Sequence, residues 1–278
     1  MSDHRVNLPW QGLERRALLH VPPGVGPRPL VVALHGTGGS SRLMASITGL
    51  SRLAGHHGFL VAYPQALGEP GPEEPARGAA WNAGPGLGCP AFADADDVGF
   101  LRALITRVSA EHDVDPARIH LCGLSNGGRM AYRMALEAPD LLASIAVVAG
   151  AWNGVGERRG RPVSTLILHG TDDTYIPYLG GVGTKGRAVP QDPAPETALR
   201  WGRIMGCGGR PKRRVQEPFF SDTLTEGPTE VTFWTLPGEG HTWPGGRPWS
   251  PTADRPTTAL SASSLILDFF DRHPLERA

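Results

Sequence analysis

Short apolar runs recur along the chain at residues 17–21, 30–34, 59–63, 119–122, 145–149, 165–168 and 231–236. Each is rich in branched side chains and bounded by glycine, proline or polar residues, the pattern of a buried strand. Between them, helical spacing of apolar residues predicts helices at 41–56, 97–112, 126–137, 195–205 and 261–272. Strands and helices therefore alternate. Parallel strands need crossover helices, so this order predicts an α/β fold with a mostly parallel sheet and helices on both faces. In such sheets functional groups gather at the carboxyl ends of the strands.

Two stretches interrupt the pattern. Residues 68–90 are dense in glycine and proline without periodicity, and read as a long loop over the sheet. Residues 178–195 are also irregular and contain Gly181-Val182-Gly183-Thr184-Lys185-Gly186, a formal match to a dinucleotide fingerprint. That fingerprint needs a strand before it and a helix opening on it; here an Asp-Pro-Ala-Pro run follows, so the segment is a loop.

Composition narrows the function. Lys plus Arg and Asp plus Glu number 27 each in 278 residues, so no net positive field draws nucleic acid or an anionic membrane. The 37 glycines and 27 prolines fit shaped loops around packed elements. No repeat or linker divides the chain, and residues 1–278 are expected to form one catalytic domain. No apolar run is long enough to span a membrane, and no secretory segment opens the sequence, so cytoplasmic residence is the expectation and export from a longer precursor the alternative. Cys89, Cys122 and Cys207 match no zinc pattern. Cys122 belongs to a strand, whereas Cys89 and Cys207 lie in loops where an oxidising compartment could join them.

The chemistry enters at Gly123-Leu124-Ser125-Asn126-Gly127-Gly128. Gly-x-Ser-x-Gly alone is a weak signal, but this copy lies between the run 119–122 and the helix former Arg129-Met130-Ala131-Tyr132. Strand, sharp turn and helix together form a nucleophile elbow, which exposes a serine hydroxyl and places the amide of Asn126 at a helix amino end. In this class the acid and then the histidine follow the serine. The run 165–168 leads into His169-Gly170-Thr171-Asp172-Asp173, and the run 231–236 into Pro237-Gly238-Glu239-Gly240-His241. Asp173 is the expected acid, ahead of Asp172, and His241 the base, ahead of His169 and His273. Upstream, the run 30–34 ends at His35-Gly36-Thr37-Gly38-Gly39, where Thr37 is expected to supply the second oxyanion amide and His35 to brace the loop. This chemistry requires neither metal nor organic cofactor.

With these motifs in place, the chain resembles the polyhydroxybutyrate depolymerase-like and feruloyl esterase-like α/β-hydrolases over most of its length. The resemblance rests on Leu34-His35-Gly36, Trp81-Asn82, Asp96-Asp97-Val98-Gly99-Phe100, the serine motif, His169-Gly170-Thr171-Asp172-Asp173 and Gly240-His241-Thr242-Trp243-Pro244-Gly245-Gly246. It implies an α/β-hydrolase fold with no large lid domain, and small or oligomeric aromatic, acetyl or hydroxyalkanoate esters as substrates. Many members carry a signal peptide, and some a polymer-binding domain; neither is visible here, and where some pair cysteines near the Trp-Asn segment, Cys89 stands alone. Beside the site motifs, Trp81, Tyr175 and Trp243 are candidates for substrate contact, and Asp97, at a helix start, for capping and loop bracing. The alternatives are a serine peptidase or lipase on the same scaffold, or a catalytically silent binding protein.

Overall fold

Parallel strands and the helices that cross between them account for most of this molecule. The computed structural model describes residues 3–69, 77–186 and 188–275. In chain order these form β1 (Asp3–Trp10), β2 (Leu13–His20), β3 (Arg28–Leu34), α1 (Ser41–Thr48), α2 (Leu50–His57), β4 (Leu60–Pro64), α3 (Asp97–Glu111) and β5 (Val114–Leu124). There follow α4 (Asn126–Glu137), β6 (Ser144–Val148), β7 (Ser164–Gly170), α5 (Ala194–Ile204), β8 (Lys212–Gln216), β9 (Phe219–Leu224), β10 (Val231–Leu236) and α6 (Ala262–Arg272). The sheet order is β1-β2-β4-β3-β5-β6-β7-β10-β9-β8. From β4 to β10 neighbouring strands are parallel, and an antiparallel pair flanks each side.

Side-chain alternation along β3 shows why both faces need covering. Leu30, Val32 and Leu34 join one hydrophobic cluster, with Phe100 and Leu104 of α3, Met130 and Met134 of α4 and Trp201 of α5. Val31 and Ala33 join the other, with Met44 and Ile47 of α1, Ala54 of α2 and Phe269 and Phe270 of α6. Strands buried on both faces read as continuous apolar runs, which is why the central ones are visible in the sequence.

The differences from the sequence reading are local. One helix expected over 41–56 is two, because Gly49 adopts φ 60°, the left-handed conformation that closes α1 and opens α2. The strand expected at 119–122 starts earlier, at Val114, with a register shift before Ile119 pairs with Leu30. β1, β8 and β9 have no counterpart among the apolar runs: β8 is exposed along its whole length, so nothing apolar marks it. The dinucleotide-like glycines lie in the loop between β7 and α5. Of the loop expected at 68–90, residues 70–76 lie outside the described residues. Among the described residues no helix is long and apolar enough to cross a membrane. Cys89, Cys122 and Cys207 are all buried and free, so Cys89 and Cys207 are not joined.

Candidate active site

At the carboxyl end of β5 the backbone turns so sharply into α4 that Ser125 takes φ 57° and ψ −117°. A non-glycine residue holds such a conformation only where its surroundings impose it. Here they do. A Cβ on Gly123 would lie 2.2 Å from the carbonyl carbon of Gly127, and one on Gly127 would lie 2.3 Å from the carbonyl oxygen of Leu34. The glycines thus let strand, helix and the end of β3 pack within backbone contact. The Ser125 amide donates to the Val148 carbonyl at 2.9 Å, which ties the turn to β6.

The carboxyl ends of β7 and β10 deliver the acid and the imidazole. Nδ1 of His241 lies 2.7 Å from Oδ2 of Asp173, and both side chains are buried. The other oxygen of Asp173 accepts the amides of Tyr175 and Ile176, each at 2.8 Å. Burial pushes the Asp173 carboxyl up, but the hydrogen bond from His241, the charges of His241 and His169 and the Ile176 amide outweigh it, and its pKa falls below the ordinary value. Asp172 is exposed and accepts only the hydroxyl of its neighbour Thr171. With Nδ1 engaged, Nε2 is the ring nitrogen left over, and His241 and Ser125 line one cleft. Among the described residues no hydrogen bond joins Oγ of Ser125 to the ring.

The loop after β3 forms the facing wall, with Thr37 and Asn126 both lining the cleft. His35 braces it: Nε2 accepts the Ala66 amide at 3.1 Å, which assigns the proton to Nδ1, 2.8 Å from the Gly36 carbonyl. Burial, only partly countered by the Gly36 bond, depresses its pKa to about 4, so it stays neutral. The side chain of Asn126 accepts the Trp81 amide at 2.7 Å and donates to the carbonyls of Trp81 and Leu87. Trp81 in turn donates from Nε1 to the His35 carbonyl at 2.9 Å.

Neither tryptophan singled out in the sequence lines the cleft. Trp81 is spent holding the His35 loop, and Trp243 is 1% exposed, its indole bonded to Ser263 at 2.9 Å. Tyr175 does line it, stacked on the His241 ring at 4.7 Å, with Trp249 edge-on to it at 6.3 Å. Leu43, Met44 and Ile47 of α1 and Leu87 complete an apolar cavity of about 370 Å³.

Residues 16–162, just over half of the chain, match the family described as Esterase PHB depolymerase. The chain belongs to this family of esterases. It is 32% identical to the protein described as the esterase NocK of Nocardia uniformis subsp. tsuyamanensis, over 93% of this chain and 79% of that one. It is 30% identical to feruloyl esterase B of Piromyces equi over 82% of its own length, but spans only 42% of that protein. Among solved structures, the S-formylglutathione hydrolase of Agrobacterium tumefaciens superposes with TM-score 0.60 at 14% identity, covering 98% of this chain and 95% of the other. An acetyl xylan esterase from Aspergillus awamori does so with TM-score 0.57 at 19% identity, covering 82% and 89%. The fold is that of the α/β-hydrolases, and the protein is a carboxylic ester hydrolase.

Two residues that hold the His241 loop of this esterase, Asp254 and Glu239, escape sequence reading. Asp254 accepts the His241 amide at 3.1 Å from an irregular segment, thirteen residues away. Glu239 is buried beside it, accepting the Thr242 hydroxyl and, at 3.1 Å, the Thr257 amide, and burial outweighs these bonds to raise its pKa. His169 donates from Nε2 to the Ile176 carbonyl at 2.8 Å, 3.6 Å from Asp173, and burial lowers its pKa despite that carboxylate. Asp97 braces as expected, pairing with Arg15 at 2.7 Å and accepting the Asn82 amide at 2.7 Å, but the capping of α3 falls to Asp96, which accepts the Gly99 amide at 2.8 Å. The bonds of Asp254 and Glu239 lie in irregular loops, where no periodicity announces them.

Proposed function

We propose that the esterase works through an acyl-enzyme, with Ser125 as nucleophile, His241 as base and Asp173 as the group orienting the imidazole. The observation that carries this reading is the 2.7 Å contact of Asp173 with Nδ1 of His241 in the same cleft as the strained Ser125. Nε2 takes the hydroxyl proton as Oγ bonds to the ester carbonyl carbon, whose π electrons move to oxygen. The amides of Thr37 and Asn126 hold that oxyanion, the latter at a helix amino end where the dipole favours negative charge. Collapse restores the carbonyl and breaks the bond to the alkoxide, which leaves with the proton from Nε2. Water then repeats the sequence to free the acid and Ser125.

The apolar cavity with Tyr175 at its rim suits a short acyl chain or one planar ring, and its size favours small or oligomeric esters. Relatives described as feruloyl esterase B and as a poly(3-hydroxyalkanoate) depolymerase from Paucimonas lemoignei agree with aromatic and hydroxyalkanoyl esters as candidates. One sheet running through all described segments supports residues 1–278 as a single catalytic domain. The free, buried thiols fit the cytoplasmic placement expected from the sequence. The test is labelling of Ser125 by a fluorophosphonate, which reacts only with an activated serine. Stoichiometric labelling, lost in Ser125→Ala and His241→Ala, is the expected result; an unlabelled wild-type protein would overturn the mechanism.

A further inference from the structure

Arg129 is the one permanently charged side chain among the described residues lining the cleft. It stands on α4 four residues after Ser125, a spacing that lays a helical side chain back over the preceding turn, toward the serine. The residue is 8% exposed, and its Nε–H, like that of Arg15, has no hydrogen-bond partner. Arg15, the other buried arginine among the described residues, is answered by Asp97 at 2.7 Å. Arg129 has no such carboxylate; Asp173 acts on it only at longer range, and its bond to Oδ2 goes to His241.

An unpaired buried charge is costly, and a fold retains one where something else completes it. Burial lowers the pKa of Arg129 to about 10, against the pull of Asp173, which leaves it cationic at neutral pH. The rest of the lining, apolar side chains, glycines and the uncharged polar groups around Ser125 and His241, holds no carboxylate, so a guanidinium there selects for an anion.

We propose that Arg129 receives a carboxylate of the substrate, so that this enzyme prefers esters bearing a free carboxylate near the scissile bond. This rests on the reading of Ser125 as nucleophile. Two arrangements share the chemistry: a half-ester of a dicarboxylic acid, with the carboxylate on the acyl side, and an acylated hydroxy acid, with it on the alcohol side. A charge that served only the field around Asp173 would instead affect all esters alike.

Two matched pairs read the difference: 4-nitrophenyl hydrogen glutarate against 4-nitrophenyl butyrate, and O-butyryl glycolate against its methyl ester. In wild type the charged member of at least one pair is expected to have the lower KM, and the responding pair identifies the side. In Arg129→Met the charged-to-neutral ratio of kcat/KM should fall about 10- to 100-fold, mainly through KM, with part regained in Arg129→Lys. An unchanged ratio, or an equal loss for both members, would overturn the proposal. Calorimetric titration of wild type with butyrate and with neutral butyramide reads the site without turnover or a variant, and equal affinities would also overturn it. Failure of fluorophosphonate labelling counts against the catalytic mechanism alone.

Discussion

The two sides of the cleft are built by different means. The serine side is backbone against backbone: Gly123, Gly127 and the end of β3 meet at distances that admit no Cβ. The histidine side has one such contact, Gly170 against Glu239, and adds side-chain ties, with Asp173 on the ring, Asp254 on the amide and Glu239 bonding Thr242 and Thr257. Steric construction is indifferent to pH and intolerant of any added atom, whereas carboxylate construction accepts small changes and answers to protons. In the proposed mechanism one wall fixes where attack begins; the other can adjust to what is attacked.

The largest effect that would test this division is Ser125→Ala, expected to lower kcat for a short 4-nitrophenyl ester about a millionfold. Asp173→Asn keeps the size of the side chain but can present its amide to Nδ1 and select the wrong tautomer, so a loss of about 10⁴-fold in kcat is expected from the same assay. Gly127→Ala should cost about 3 kcal/mol in urea unfolding, since Leu34's carbonyl has nowhere to go. If it unfolds like wild type, the steric account of the serine wall fails.

Asp254→Ala should be milder, about 1 kcal/mol of stability and roughly a fivefold loss in kcat as the His241 amide loses its acceptor. The smallest effect concerns pH. Burial raises the Glu239 pKa above its ordinary 4.5, so its protonated form favours the fold. Its contribution is complete below 4.5 and is lost as pH rises through the higher folded value. The urea midpoint of wild type relative to Glu239→Gln should therefore fall as pH rises above 4.5, and a difference that does not change with pH would exclude this role of Glu239.

The same division explains what was legible in the sequence. The serine wall was readable because its construction is local: glycines at fixed offsets, an apolar run before and a helix former after. Asp173 and His241 were readable because each follows a strand at the sheet edge where such groups gather, and the geometry brings them within 2.7 Å. Trp81 and Trp243 were misjudged because proximity in sequence to a site says nothing about which way an indole faces; both face inward to hold loops. Asp254 and Trp249 lie in a segment with no periodicity, and their places follow only from contacts with His241, Lys185 and Tyr175 in other loops. Arg129 was taken simply as part of a helix, because a lone charge is ordinary there until burial is known.

The salt bridge of Arg15 with Asp97 ties the first hairpin of the chain to the segment carrying Trp81 and Asn82, and so to the carbonyl of His35. That makes the amino-terminal ribbon a tensioning strut and not a decoration. Anyone grafting, trimming or fusing this enzyme at that end is altering the rigidity of the loop after β3, and changes in turnover should be sought there before they are sought near the serine.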